Sequence, residues 1–397
     1  MRKTKLFKII SLMLVFCLLA AALLTSCDSG KGGDDDDDDG KGSKKPDKAA
    51  DGRQEFIGDI GGVSETYAGT VSNEAFESAE EAASAYVTNE IVSVNSYVDS
   101  VEATSKGELS SEEITKLNLP QELQEGIDSV EKYEVSYTLA GEARVAQMST
   151  AQDNDNSYKV IVYVIRYGIE WKYFTPMPVK GDTITKSYYE SVFDAEKYEN
   201  CTFVNVSYVK VTATGGGQTE TYQATITQNI KRAEGKVYFV QTIEGDDYMI
   251  SQMGVGLSRY LAGYVEETED GTVTYVKTSE NGTWETGYLT QNVNPFGGQE
   301  DVDFSYFTKT DFGFALKDEN ARQYYRQAAS GGSLLDDAKL DLYAEYYVSD
   351  GVLSGMRMEY SATISQEFAG QSIKSVTEGK NTMTCTDYGT TVVEKPF

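Results

Sequence analysis

The first long amphipathic pattern in the chain begins at Ser78. Apolar residues then recur at steps of three and four, at Ala79, Ala83, Val87, Ile91, Val94, Val98 and Val101. Such steps place one apolar stripe along one side of a helix, and Ser78 followed by Glu81 matches a capping box at its start. The pattern therefore predicts one long helix that reaches about Val101. A second, shorter helical region is predicted at about 110–130, with an interruption at Pro120.

Beyond this region the period changes from helical to alternating. In the segment 133–139, tyrosine, valine and leucine alternate with polar residues, which is typical of a strand with one buried face. The segment 158–165 is apolar on both faces, so we expect a central strand that is covered on each side. A long N-terminal helix packed on an antiparallel sheet predicts an α+β domain. Pro176 and Pro178 mark its end, and we assign it to 71–182.

From Cys201 onward, strands alternate with tight turns. Asn-Gly and Asp-Gly dipeptides occur at 281–282 and 350–351, and a Glu-Gly dipeptide occurs at 234–235. Asn-Gly and Asp-Gly tolerate the positive φ angles that two-residue hairpin turns require. The spacing of these turns predicts a large antiparallel sheet in the second half of the chain.

One face of this sheet is apolar along its longest strand. Its apolar positions alternate with polar ones and are Met356, Met358, Tyr360, Ala362, Ile364 and Phe368. A sheet with one apolar face must bury that face. Two segments with helical character, 246–265 and 318–329, are expected to pack on it. Over 183–397 the pattern therefore predicts a large curled antiparallel half-barrel plugged by helices, and the whole chain is expected to be α+β.

The beginning of the chain has the layout of a secretory signal. A basic cap of Arg2, Lys3, Lys5 and Lys8 precedes an apolar stretch that is shorter than the roughly 20 residues a membrane-spanning helix needs. The sequence Leu-Thr-Ser-Cys at 24–27 resembles the lipobox of bacterial lipoproteins of the Gram-positive type. The resemblance implies that 1–26 is a cleaved signal peptide and that Cys27 carries a diacylglycerol. It also implies anchoring at the extracytoplasmic face of the bacterial cell membrane; an uncleaved anchor helix is the alternative.

The segment 27–70 is predicted to be a disordered acidic tether. It includes six consecutive aspartates from Asp34 to Asp39, and like-charge repulsion keeps such a segment extended. The whole chain has a formal net charge of −28. A surface of this sign repels phosphate backbones, which excludes nucleic acid as an expected partner.

The chain contains four cysteines and no histidine. Beyond the signal and Cys27, Cys201 and Cys385 remain, and they form either a disulfide, which persists in exported proteins, or two buried thiols. Without histidine, a zinc site lacks common ligands and a Ser or Cys nucleophile lacks its usual base. We therefore expect no metal, no catalytic residue and no cofactor beyond the lipid on Cys27.

Both halves of the chain resemble known families. The pattern over 71–182 resembles the cone-shaped domains of the nuclear transport factor 2-like and cystatin-like type that follow the tether in Gram-positive lipoproteins. The second half, 185–397, resembles the lipoprotein-carrier superfamily through Gly-Thr-Trp at 282–284, the run 350–358 and the closing run 387–396. The carrier resemblance implies an unclosed antiparallel barrel whose concave cavity holds acyl chains or lipidated substrates.

These observations predict a non-enzymatic, membrane-anchored lipoprotein that binds a lipid or another amphiphile in the half-barrel. Methionine side chains adapt to irregular apolar ligands, and the expected contacts are Met253, Leu257, Tyr260, Met356, Met358, Tyr360 and Ile364. The alternative is a structural or interaction lipoprotein with a filled core and an envelope protein as its partner. A third alternative is an envelope hydrolase with paired carboxylates, but spacing selects no pair among 63 acidic residues.

Overall fold

The structure is a computed structural model. It describes residues 56–57, 60, 69–92, 96–117, 119, 121–141, 157–215, 217–253, 260–268, 271–287, 303–317, 339–368 and 371–397. The predicted signal peptide, the lipobox with Cys27, the aspartate run and the helix at 318–329 lie outside these residues. Within them, no helix has both the length and the apolar composition that crossing a membrane requires.

The first sheet has five antiparallel strands in the order β1-β5-β4-β3-β2. The strands are β1 (Thr70–Val71), β2 (Ser96–Glu108), β3 (Ser129–Gly141), β4 (Ser157–Tyr167) and β5 (Glu170–Thr175). Helix α1 (Ala79–Tyr86) packs on one face, and a second apolar cluster that includes Leu119, Ile165 and Phe174 covers the other. The predictions of a strand at 133–139 and of a central strand at 158–165 are confirmed, because β3 and β4 occupy these positions.

The predicted long N-terminal helix is wrong. Helix α1 does begin where expected, with the Ser78 hydroxyl accepting a hydrogen bond from the backbone N–H of Glu81. It ends at Tyr86, however, and continues only as a π-helical turn over Val87–Ile91 before strand β2 begins. The shorter helical region is also reduced, to α2 (Ser111–Lys116) and α3 (Gln121–Gln124), and strand β3 starts at Ser129.

A β-bulge explains why β2 has a helical spacing of apolar residues. Val98 lies opposite Leu139 and Val101 lies opposite Tyr137, and the register shifts between Val98 and Ser100. The bulge inserts one extra residue, so two valines that are three positions apart lie opposite residues on the same face of β3. In a regular strand, only residues an even number of positions apart lie on the same face.

The second sheet has eleven antiparallel strands in the order β11-β10-β9-β8-β7-β6-β16-β15-β14-β13-β12. The strands are β6 (Cys201–Gly215), β7 (Gln218–Ala233), β8 (Lys236–Gly245), β9 (Ala262–Thr268), β10 (Gly271–Lys277), β11 (Glu285–Thr286), β12 (Phe307–Lys309), β13 (Gly313–Leu316), β14 (Lys339–Ser349), β15 (Val352–Phe368) and β16 (Gln371–Thr386). The predicted turns at 234–235 and 350–351 are confirmed, since both residues of each turn have positive φ.

The helices that pack on the large sheet are shorter than predicted. They are α4 (Lys186–Val192), a 3₁₀ turn (Ala195–Tyr198), α5 (Asp247–Met253) and a second 3₁₀ turn (Phe304–Tyr306). Within the segment 246–265, which was predicted to be helical, Asp247–Met253 forms α5 and 262–268 forms β9 between β8 and β10. The predicted α+β class is therefore corrected to a fold of two large antiparallel sheets with short helices.

Glu90 connects the two sheets. One of its carboxylate oxygens accepts a hydrogen bond from the backbone N–H of Ser187 in the first turn of α4, at 2.9 Å. The other accepts one from the Tyr173 hydroxyl of β5, at 3.3 Å. Glu90 is buried, and this burial raises the pKa of its carboxyl despite the hydrogen bonds from Ser187. The contact between the sheets therefore includes an acidic group that pairs with the N-terminus of a helix.

A short apolar segment from the predicted tether packs on the large sheet. Phe56 meets Tyr347 edge-to-face, with ring centroids 5.2 Å apart, and Ile57 and Ile60 join the same cluster. A Cβ on Gly355 would lie 3.3 Å from Phe56 and 3.4 Å from Ile60, so this glycine permits the close approach. An ordered contact therefore exists within the segment that was predicted to be unfolded.

Candidate functional site

The core face of the eleven-stranded sheet carries two separate apolar clusters. The first, here called the aromatic cluster, lies beneath α4 and combines residues of β12 to β16 with the start of β6. Its rings are in mutual contact; for example, Phe314 and Tyr346 stack with centroids 4.9 Å apart. Its members include Tyr188, Tyr189, Phe193, Phe203, Phe307, Phe314, Tyr346, Met356, Met358, Met383 and Cys385.

The second cluster lies beneath α5, at the opposite end of β6 and β7, and is here called the α5 cluster. Met249 of α5 is fully buried against the sheet. The sheet contributes Val209, Val211, Ala213, Tyr222, Ala224, Ile226 and Ile243. The two clusters share β6, since Phe203 belongs to one and Val209 to the other.

A band of uncharged polar residues separates the two clusters on the same face. It is here called the polar belt and consists of Asn205, Ser207, Gln228, Gln241 and Asn381. The strand register aligns these residues: Asn205 lies opposite Gln228, which lies opposite Gln241, while Ser207 lies opposite Asn381. Gln241 and Asn381 are buried, and the other three are half-buried. The core face is therefore apolar, then polar, then apolar along β6.

Three of these amides form a continuous chain of hydrogen bonds across β6, β7 and β8. The Asn205 Nδ2 donates to Gln228 Oε1 at 3.2 Å, and the Gln228 Nε2 donates to Gln241 Oε1 at 3.1 Å. The Gln241 Nε2 donates to the backbone carbonyl of Tyr260 at 2.6 Å. This arrangement is here called the amide chain. Except for one oxygen of Asn205, the amide groups that it joins are hydrogen-bonded, as buried polar groups usually are.

The amide chain leaves one oxygen without a donor. Asn205 Oδ1 is shielded from solvent, and no hydrogen-bond donor in the described part of the chain lies within reach of it. On the side away from Gln228, the cross-strand neighbour of Asn205 is Met383, whose thioether cannot donate. Asn205 Oδ1 is therefore an acceptor that lies next to the aromatic cluster.

The structure brings three of the predicted ligand-contacting residues to the border of the polar belt. Across β15 and β16, Met356 lies opposite Met383, Met358 lies opposite Asn381, and Tyr360 lies opposite Gly379. Both methionines are buried, however, and pack within the aromatic cluster. Tyr360 is half-buried, and its ring lies so close over Gly379 that a Cβ there would be 2.1 Å from Tyr360 Cζ. These two methionines are thus core residues in this structure.

The other predicted contacts are more scattered. Ile364 is half-buried farther along β15. Tyr260 is half-buried, and its backbone carbonyl accepts a hydrogen bond from Gln241 of the belt. The side chain of Met253 and the whole of Leu257 lie outside what the structure describes.

Cys201 and Cys385 are free buried thiols in this structure, and the disulfide between them is absent. Thr202 pairs with Thr386 across β6 and β16, so the two cysteines are diagonal neighbours on the core face. Diagonal neighbours in a sheet are about 7–8 Å apart, which exceeds the Cα separation of a disulfide. Burial raises the pKa of Cys201 to about 12 and also raises that of Cys385. These thiols are therefore unreactive core groups.

Two tyrosines fix the backbone beside these thiols. The Tyr198 hydroxyl accepts a hydrogen bond from the Leu353 N–H at 2.8 Å, and the Tyr388 hydroxyl donates to the Leu353 carbonyl. Burial raises the pKa of both phenols, so both stay protonated. This end of the aromatic cluster is held by hydrogen bonds of two phenols that stay neutral near pH 7.

The polar belt was not predicted from the sequence. Its only signal is an interruption of the apolar alternation in β6, where Asn205 and Ser207 stand between Phe203 and Val209. Among the described residues, no cluster of three or more His, Cys, Asp or Glu side chains could hold a metal. The side chains of the belt form hydrogen bonds with one another, and apolar residues lie on either side of them.

Comparison with known proteins provides little guidance. No family model matches the chain, and no curated protein matches it. A solved structure of a DUF1329 family protein from Desulfovibrio piger is similar over 52% of this chain and 94% of that chain, with 7% sequence identity and a TM-score of 0.18. A likeness at this level carries no argument about function.

Proposed function

We propose that this protein is a non-enzymatic lipoprotein, anchored by a diacylglycerol on Cys27 to the extracytoplasmic face of a bacterial cell membrane, that binds an amphiphile on the core face of its large sheet. The lipobox-like sequence at 24–27 and the signal-like segment before it support the anchor. The tether would hold the two sheets outside the membrane.

The observation that carries the binding function is the polar belt between two apolar clusters. A buried polar band in a sheet core costs free energy unless its groups are paired, and a fully apolar face would pack better. An amphiphile has the matching pattern, since its polar group can pair with the belt while its chain contacts half-buried apolar side chains. Such side chains flank the belt at Ile226, Ile230 and Ile243.

Labelling with palmitate tests the anchor. Bacteria that express the full chain are grown with labelled palmitate, and the label is expected on the protein. The Cys27→Ala variant should carry no label and should be released from the membrane. Full-length protein without label in the wild type would contradict the anchor.

Binding is tested on delipidated protein with a fluorescent diacylglycerol. We expect saturable binding that Ile226→Glu weakens about tenfold or more, because the substitution places a charge beside the ligand chain in an apolar setting. Asn229→Glu is the matched control, since Asn229 is exposed on the opposite face of the same strand. Native mass spectrometry of wild-type protein purified from membranes should show a co-purified lipid. Absence of binding and of co-purified lipid would contradict the function.

One observation favours the alternative, a lipoprotein with a filled core that acts through protein contacts. Met356 and Met358 are packed against the aromatic cluster, so that end of the core face has no accessible apolar surface at these two positions. This alternative predicts wild-type protein that carries no non-covalent lipid and binds no fluorescent diacylglycerol.

A further inference from the structure

We propose that the polar group of the ligand is a neutral hydrogen-bond donor, a hydroxyl or an amide N–H, and that Asn205 Oδ1 accepts its hydrogen bond. This inference rests on the proposed amphiphile-binding function and names the class of ligand. It depends on the direction of the amide chain and on the absence of charge in the polar belt.

The direction of the amide chain is fixed at its far end. The Tyr260 backbone carbonyl can only accept, so Gln241 must present its Nε2 there and its Oε1 to Gln228. Gln228 must then donate to Gln241 and present its own Oε1 to Asn205. Asn205 in turn must use its Nδ2, which leaves Oδ1 as the terminal atom. Rotating any one amide would place two oxygens or two NH₂ groups in opposition, so an acceptor is the only stable end.

The terminal acceptor has no hydrogen-bond donor among the described residues. Its neighbours on the core face include Phe203 along the strand and Met383 across it, and neither can donate. The Ser207 hydroxyl on the same face is directed to Asn381 Oδ1 instead, at 3.4 Å. Leaving a buried carbonyl without a donor destabilises the fold. A ligand donor placed there removes this destabilisation, and a methionine is a flexible neighbour that can move aside.

The residues around the site favour a neutral donor. All five members of the polar belt are uncharged, and the apolar residues on either side of it along β6, Phe203 and Val209, carry no charge either. An ammonium group could donate to Asn205, but it would lack a carboxylate partner in the belt, and an unpaired buried charge is far more costly than a hydroxyl. A fatty alcohol, an acylglycerol or an acyl amide fits these limits.

A matched pair of ligands tests the inference. Lauryl alcohol and its methyl ether have the same chain and the same oxygen, but only the alcohol can donate. We expect wild-type protein to bind the alcohol about fivefold or more tightly than the ether, measured by displacement of the fluorescent diacylglycerol. In Asn205→Leu the two affinities should become equal, while the ether still binds.

Two further variants sharpen the test. Gln228→Leu breaks the amide chain and frees the Asn205 amide to rotate, so the preference for the alcohol should shrink although Asn205 is present. Asn229→Leu makes the same type of change on the exposed opposite face and should retain the full preference. Equal binding of alcohol and ether by wild-type protein would overturn this inference and leave the proposed function standing. Failure to bind the alcohol, the ether and the diacylglycerol would overturn both, and this wild-type result depends on no variant.

Discussion

The two sheets bury their faces in different ways. In the small sheet, the rows beneath α1 pair apolar with apolar: Val135 lies opposite Val160, and Tyr137 stacks on Tyr158 with centroids 5.5 Å apart. In the large sheet, a comparable row crosses from Met383 to Asn205 and then to glutamines. An apolar row is stabilised whichever apolar residue lies opposite, whereas a polar row depends on every donor finding its acceptor.

This difference indicates where function is to be sought. A fold in which local pattern and packing agree throughout is explained by stability alone, and departures from that agreement concentrate at functional sites. On the α1 face of the small sheet the departure is limited to the Tyr137 hydroxyl, which is buried without a hydrogen-bond partner among the described residues, whereas the large sheet carries a whole polar belt. The amide chain satisfies most of the belt, and the unsatisfied Asn205 Oδ1 remains as its one described open acceptor.

The largest effect should come from the apolar core of the small sheet. Tyr86 of α1 is fully buried and meets Tyr173 edge-to-face at 5.6 Å. Tyr86→Ala should lower the free energy of unfolding by about 3–5 kcal/mol, since it removes a large ring from a packed core. Urea unfolding followed by circular dichroism measures this. Ile169→Ala, in an exposed turn of the same sheet, should change it by less than about 0.5 kcal/mol; a similar loss in both variants would contradict the assigned core.

A smaller loss is expected within the amide chain. Gln241→Leu removes the acceptor of Gln228 Nε2 and the donor to the Tyr260 carbonyl. Leaving these groups without partners should lower the free energy of unfolding by about 1–3 kcal/mol, although leucine adds apolar surface. Thr242→Leu, exposed on the opposite face, is the control. If Gln241→Leu were as stable as wild type, the amide chain would not contribute to the stability of the sheet.

The sequence predicted strands where local pattern decides the structure. Strand β4 was recognised because it is apolar on both faces, and the turn at 350–351 because Asp-Gly tolerates positive φ. The long helix failed because the bulge between Val98 and Ser100 produces a spacing that a helix also produces. The spacing of apolar residues along one segment cannot distinguish a bulged strand from a helix, because the bulge exists only through pairing with β3.

The polar belt was missed for a related reason. Asn205, Gln228 and Gln241 are distant in sequence, and they form a chain only because the registers of β6, β7 and β8 align them. Spacing along the sequence does not contain these registers. The methionines of β15 were chosen for their regular alternation, but regular alternation is the property of a packed core. The interruption of that alternation in β6 was the more informative signal.

The smallest effect is expected at the contact between the sheets, where it should depend on pH. Burial, with a smaller contribution from Glu190, raises the pKa of Glu90 above its ordinary value of 4.5. The folded protein therefore holds this proton more tightly than the unfolded chain, and the stability from Glu90 is present below pH 4.5 and is lost as pH rises through the folded pKa.

Glu90→Gln stays neutral and can still accept from the Ser187 N–H, so it should gain stability relative to wild type between pH 4.5 and 7 and show no gain below. Urea unfolding across this range measures the difference, with the exposed Glu102→Gln as control; a gain that is the same at every pH would show that the Glu90 carboxyl does not titrate with folding.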